Sequence, residues 1–318
     1  MYRYATRALS SCRKLSNAKL NPTLPDTSIR RFAVSSQSHF LAFSTMKIDS
    51  HVHVWDSDSL PASTDASSKI PASPEDLLTQ MNQADVQLTI LVQPIVYKFD
   101  HSYLKTSLQK HPTKFIGVGL LDLSSDAGTA VETVNSFAEN GYRGLRINPS
   151  LLREGETLDG DKVIQVVQEA GKLGLVVNLF IKPEHFGAVD RLMAKCTSTD
   201  VMIDHFGFVK PDQESEFNKL LDLVKKYPRL CVKVSAVFRW SNHQQWPYRD
   251  VFRQVRKLVD TIGAQRVLWG SDFPFVTQEC GYGKAVSVVQ EMELNDAEKR
   301  WVLGNSAARL YKLQLDKE

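Results

Sequence analysis

The sequence predicts a (β/α)8 barrel, on three observations. From Met46 onward, short apolar runs alternate with helical patterns. Eight strand candidates begin near Lys47, Leu88, Phe115, Arg143, Leu175, Val201, Leu230 and Arg266, spaced by about 31 residues, the length of one strand–helix–strand unit. The Gly-rich first turn by which open, doubly wound sheets bind nucleotides is missing, which disfavours that alternative.

The elements follow in order. The first strand reads Lys47-Ile-Asp-Ser-His-Val-His-Val-Trp55. Because strand side chains alternate, Asp49, His51 and His53 are expected on one face and Ile48, Val52 and Val54 on the other. The outer face of a barrel strand meets helices and must be apolar, so the polar face is expected to point inward. Val163, Val166, Val167 and Ala170 form one helical stripe, and Phe217, Leu220, Leu221 and Val224 a second. Val251, Val255, Leu258, Val259 and Ile262 form a third. Gly174 reads as a helix stop before the fifth strand, and Asn295 with Glu298 as a capping box. The sixth strand is read as Val201–Gly207, with His205 at its end, and the eighth as Val267–Pro274, with Asp272 at its end.

Ahead of this body, residues 1–45 hold seven basic side chains (Arg3, Arg7, Arg13, Lys14, Lys19, Arg30, Arg31) against one acid, Asp26. The whole chain carries +3, so the remaining residues carry −3, and no global attraction for nucleic acid is expected. An Arg- and Ser-rich, acid-poor leader without an apolar core has the composition of a transit peptide for a mitochondrion or a chloroplast. The plainer alternative is a tail preceding an internal start at Met46. No run approaches 18 apolar residues, so no helical membrane span is expected. Cys12 belongs to the leader; Cys196, Cys231 and Cys280 remain, without a Cys-x-x-Cys pair, so neither a disulfide framework nor a zinc ribbon is indicated.

Chemistry in such a barrel sits at the C-terminal ends of the strands and in the loops that follow. Residues 56–74 are rich in Ser, Ala and Pro and are expected to form a lid. The loop after strand seven (Phe238, Arg239, Trp240, His243, Trp246, Tyr248) and the one after strand eight (Phe273, Pro274, Phe275) are expected to wall a pocket. A single histidine at a strand end is usually a hydrogen-bonded core residue, and a single aspartate a turn former. A His-x-His pair, a third His and an Asp at three strand ends together point to a reaction centre.

These residues resemble the amidohydrolase superfamily, and more closely its amidohydrolase-related branch. That branch includes 2-pyrone-4,6-dicarboxylate lactonase, fuconolactonase-like enzymes and some metal-dependent decarboxylases. The resemblance spans residues 47 to about 312. It rests on Asp49-Ser-His-Val-His53, Gly144-Leu-Arg146, Ile203-Asp-His-Phe-Gly207, Lys233-Val-Ser235 followed by Arg239, and Trp269-Gly-Ser-Asp-Phe-Pro274.

The resemblance implies hydrolysis of a small anionic lactone or related ester-like bond. Asp272 is expected to act as general base on water, with His51, His53 and His205 donating hydrogen bonds to the carbonyl oxygen. Arg146 and Arg239 are expected to hold substrate carboxylates, with Lys182 and Asn178 of strand five as further substrate contacts. The plainer reading pairs the arginines with internal acids such as Asp49 or Asp122. Metal-dependent relatives usually add a ligand, commonly His, at the end of strand four or five. Leu175–Lys182 contains none, and His185 lies farther on. No cofactor is therefore expected. If one divalent ion, zinc or manganese, were bound, His51, His53 and Asp272 would hold it, with His205 as an additional donor. That is the rival reading, a metal-dependent decarboxylase or hydrolase; a barrel serving only as a binding module is the rival from another class.

Overall fold

The computed structural model describes residues 46–58, 60 and 69–313. The proposed leader, residues 1–45, lies outside them, as do residues 59 and 61–68 of the lid expected over 56–74. The strands are β1 (Ile48–Val52), β2 (Leu88–Val92), β3 (Phe115–Leu120), β4 (Gly144–Ile147), β5 (Val176–Leu179), β6 (Val201–Ile203), β7 (Leu230–Ser235) and β8 (Val267–Gly270). They pair in sequence order, all parallel. The crossover helices are α1 (Pro74–Ala84), α2 (Ser102–Lys110), α3 (Ala127–Glu139), α4 (Asp161–Leu173), α5 (Phe186–Lys195), α6 (Glu214–Lys226), α7 (Phe252–Ile262) and α8 (Tyr282–Glu291). The predicted barrel is the observed fold. No helix among the described residues is long and apolar enough to cross a membrane.

The predicted stripes are the buried faces of α4, α6 and α7. Gly174 ends α4 in the left-handed region (φ 69°), where the absence of a Cβ removes the steric cost. The Asn295–Glu298 box is formed in both directions, at 2.9 and 3.0 Å. An inner apolar cluster draws on Ile48, Val118, Val176, Met202, Cys231 and Leu268. It packs on Ala307, Leu310 and Tyr311, so the C-terminal helix Ser306–Leu310 seals that layer.

Closure brings the two ends of the chemistry together. Beyond β8, Asp272 N–H donates to His51 O (2.9 Å), and His53 N–H donates to Phe273 O (2.8 Å). The backbone that closes the barrel is thus the backbone that carries His51, His53 and Asp272.

Two sequence readings are corrected. Asp49 does not share a face with His51 and His53. Between the Asp49–Thr89 and Val52–Leu91 pairs, β1 advances three residues while β2 advances two, which is a β-bulge. The extra residue turns Ile48 into the inner cluster and Asp49 away from the cavity. Asp49 Oδ1 instead accepts from Ser271 N–H (2.9 Å) and His51 N–H (3.1 Å), and burial pushes its carboxyl up to about 6. Secondly, β6 ends at Ile203 and β8 at Gly270, each four residues earlier than read. His205, Phe206 and Gly207 follow at φ 49°, 57° and 63°. Successive left-handed residues are costly unless their surroundings hold them. Here His205 N–H donates to Ser235 Oγ (3.3 Å), and the Phe206 ring stacks on Trp240 with centroids 4.5 Å apart.

Candidate active site

The exits of β6, β7 and β8 each carry a non-glycine residue at positive φ: His205, Ala236 and Asp272. Strain of this kind concentrates where side-chain direction matters more than local stability. At the end of β6 its effect is concrete. In a strand, Asp204 and His205 would point to opposite faces; in this turn both are buried at the same end of the barrel.

Above them opens a cavity of about 350 Å³, room for a small organic molecule. Its polar side is His53, Arg146, Asn148, His205, Arg239 and Asp272. Its apolar wall includes Trp55, Ile95, Phe180, Phe208 and Phe275. The wall expected from the loop after strand seven is therefore corrected, because of those residues only Arg239 lines the cavity. Trp240 turns inward and its Nε1–H donates to Ser235 O (3.0 Å), while Trp246 Nε1–H donates to Lys284 O (2.9 Å). From the loop after strand eight, Phe275 does reach the cavity.

Asp272 is the centre of the floor. Its Oδ2 accepts from Arg239 Nε at 2.6 Å, and its Oδ1 lies 3.5 Å from His53 Nε2 and 3.8 Å from His51 Nε2. Burial would raise its pKa, but His205, the His53 hydrogen bond and Arg239 outweigh that and hold it well below the carboxylate range. Asp272 is ionised at neutral pH. His53 is oriented by Nδ1–H, which donates to Val92 O at 2.7 Å, since a carbonyl can only accept. His205 Nδ1 sits 3.0 Å from Ser235 Oγ. The His51 and His205 rings lie 4.5 Å apart by centroid.

A second layer lies beneath, and sequence reasoning gave its key members no role. Asp204 Oδ2 faces Arg146 Nε at 3.2 Å, and its Oδ1 faces Lys233 Nζ at 3.1 Å and His51 Nδ1 at 3.5 Å. Burial opposes ionisation of Asp204, but Lys233, His51 and Arg146 pull it well below the usual range. The signal was available: Lys233 alternates with Cys231 and Ser235 on β7, and a lysine at a mid-strand position demands a buried partner.

The other expected site residues divide. His51 is fully buried and sits under the cavity lining. Asn178 is fully buried too; its Oδ1 accepts from Lys233 Nζ (2.7 Å) and Tyr311 OH (3.1 Å), so it braces the floor and does not line the cavity. Lys182 is exposed and outside the cavity lining. The reason is that β5 stops at Leu179 and Phe180 takes the cavity position, with the Arg146 guanidinium 4.5 Å over its ring. Both arginines pair with internal acids, Asp204 and Asp272, neither of them the acids suggested by sequence. In each case the paired atom is Nε, which leaves the terminal fork of the guanidinium for another anion.

The donor set for a metal is His51, His205 and Asp272, whose ligand atoms lie within 4.8 Å of one another. His205 thus takes the place expected for His53. The spacing suits one small ion, but the charge does not. Lys233 Nζ is 3.3 Å from His51 and Arg239 is 2.6 Å from Asp272, so two of the three donors already have a cation against them.

Burial lowers the His205 pKa to about 4. An unfolded chain would take up that proton near 6.5, so between about 6.5 and 4 the unfolded state binds more protons, and stability rises with pH across this window. The His205 contribution to the cost of acidification through it is on the order of 3 kcal/mol; His51, also lowered by burial, adds to it, and Asp49, raised to about 6, opposes it. Asp204 and Asp272, whose pKa values are lowered, add their loss only at lower pH, below the unfolded carboxylate range. His205→Asn removes the titrating ring and keeps a side chain that tolerates positive φ. Its melting temperature should fall less than wild type between pH 6.5 and 4; an equal fall would place the acid sensitivity elsewhere.

A barrel with histidines and an ionised aspartate at its strand ends and a cavity above them defines a class of barrel hydrolases. The amidohydrolase family model matches residues 48–313, and the chain belongs to that family. It is a hydrolase. Among its relatives, the L-fucono-1,5-lactonase of Burkholderia ambifaria is 24% identical over 242 residues, covering 72% of this chain and 81% of the relative. The 2-amino-3-carboxymuconate-6-semialdehyde decarboxylase of Dictyostelium discoideum is 22% identical over 292 residues, covering 77% and 78%. Among solved structures, a chain from Pseudomonas putida assigned as a 2-pyrone-4,6-dicarboxylic acid hydrolase is 26% identical, with TM-score 0.73, covering 86% of this chain and 100% of that one.

Proposed function

We propose that the protein hydrolyses a small anionic lactone or a related ester-like bond, without requiring a metal. The observation that carries this is the pair of arginines on the cavity. Arg146 and Arg239 meet Asp204 and Asp272 through Nε, which leaves both terminal forks for another anion. A substrate carboxylate suits such forks; a divalent cation would stand against two guanidinium charges.

Asp272 accepts the proton of the attacking water. At rest it is a weak base because His205, His53 and Arg239 together hold its pKa low. When the Arg239 fork turns part of its charge to a substrate carboxylate, the Asp272 pKa rises and the base becomes effective, so recognition and activation are linked. His205, on the cavity, donates to the carbonyl oxygen as charge develops there, and His51 supports it from below; His53, whose Nδ1–H is given to Val92 O, presents a lone pair at Nε2 and does not share that role. Arg146 orients the far end of the substrate from the Phe180 side. Similarity to a lactonase and to an assigned pyrone dicarboxylate hydrolase supports the bond type.

The rival reading places a divalent ion on His51, His205 and Asp272, where it would polarise a carbonyl or ionise a water. The two are separated by assaying lactones that bear one to three carboxylates, before and after exhaustive chelation. Turnover is expected to survive chelation within about twofold. Loss of turnover that one equivalent of zinc or manganese restores would transfer the assignment to the rival.

A further inference from the structure

A fully buried lysine is costly unless each of its N–H groups is used. An ammonium offers three donors and no acceptor. Lys233 Nζ has three acceptors in reach: Asn178 Oδ1 at 2.7 Å, Asp204 Oδ1 at 3.1 Å and His51 Nδ1 at 3.3 Å. The first two are fixed in kind. Asn178 Oδ1 also accepts from Tyr311 OH, while its Nδ2 faces Leu145 O and Val176 O, so its amide cannot be reversed without setting donors against the ammonium. Asp204 can only accept while ionised, and it is held on both oxygens, by Lys233 and by Arg146. The one partner with a choice is His51. A proton on His51 Nδ1 would point at an ammonium N–H, with Asp204 Oδ1 as a longer alternative at 3.5 Å.

We propose that Lys233 is a positioning residue that holds His51 in its Nε2–H tautomer, so that the site has a hydrogen-bond donor where a metal ion needs a lone pair. His51 Nε2 is the buried atom that faces Asp272 Oδ1 at 3.8 Å and has no hydrogen-bond partner among the described residues. Coordinating a cation there would drive the ring proton to Nδ1, against Lys233. The lysine thus acts twice, by its charge and by its direction. This inference rests on the metal-free reading above, and its test does not measure turnover.

The test is a long-range ¹H–¹⁵N spectrum of the full-length protein at neutral pH, with the His51 signals assigned by their loss in His51→Gln. The expected wild-type pattern is an unprotonated Nδ1 and a protonated Nε2. In Lys233→Met, which keeps the stem and leaves Arg146 on Asp204, the pattern should invert as Nδ1–H turns to Asp204. Zinc titrated by calorimetry should bind Lys233→Met at least about tenfold more tightly than wild type. A wild-type His51 with its proton on Nδ1, or stoichiometric tight zinc in the wild type, overturns the proposal. Both are wild-type measurements and decide the matter even if the variant fails to fold. A protein that hydrolyses no lactone yet shows the expected tautomer would sink the proposed reaction and leave this inference standing.

Discussion

Asp272→Asn is expected to lower kcat by about 10²- to 10⁴-fold while leaving the barrel folded. The amide has nearly the shape of the carboxylate and can still accept one hydrogen bond from Arg239 Nε, which lies 2.6 Å from Oδ2. It cannot take a proton from water. Closure of the barrel does not depend on this side chain, because the β1–β8 junction is made by the main chain of Asp272 and Phe273. A circular dichroism spectrum and melting temperature near wild type, together with the loss of turnover, would assign the effect to chemistry. A folded variant with near-normal kcat would remove Asp272 from the mechanism.

The second large effect concerns charge recognition. A substrate acid should exceed its neutral methyl ester by about 10- to 150-fold in kcat/KM, since a hydrogen bond to a charged group contributes roughly 1.5–3 kcal/mol. Part of the loss should fall on kcat, because the ester no longer draws Arg239 away from Asp272. Arg239→Lys should lose activity on the acid too. An ammonium keeps the charge but has no Nε to hold Asp272 while a planar fork engages a second anion. Its penalty should shrink for lactones that never carried the matching carboxylate, which controls for general damage. Equal hydrolysis of acid and ester, with Arg239→Lys silent on both, would make these arginines purely structural.

What could be read in the chain follows from which interactions are local. Apolar periodicity is a local property, and it located all eight strands within a residue of their observed starts, along with the buried stripes of α4, α6 and α7. His51, His53, His205 and Asp272 could be nominated because chemistry in this fold concentrates at strand ends, and three of them do line the cavity. Lys182 and Asn178 were misplaced because a strand's last residue decides which side chain meets the cavity. β5 ends at Leu179, one residue before Phe180, and nothing in Leu175–Lys182 marks that point.

The inward direction of His51 and His53 followed from alternation alone, whereas the outward turn of Asp49 did not. A bulge is a mismatch between two strands, so β1 has to be seen beside β2. The same holds for Asp204 and Lys233. Neighbours along the chain give no hint that residues 51, 146, 178, 204 and 233 converge, and only barrel closure sets their charges within hydrogen-bonding range. The sequence alone determined the barrel, the family resemblance and the reactive side chains. The tertiary structure decided which of them are paired, which carbonyl orients His53, and which guanidinium groups are left on the cavity for a substrate. Electrostatics depends on distances between strands, and those distances exist only once the barrel is closed.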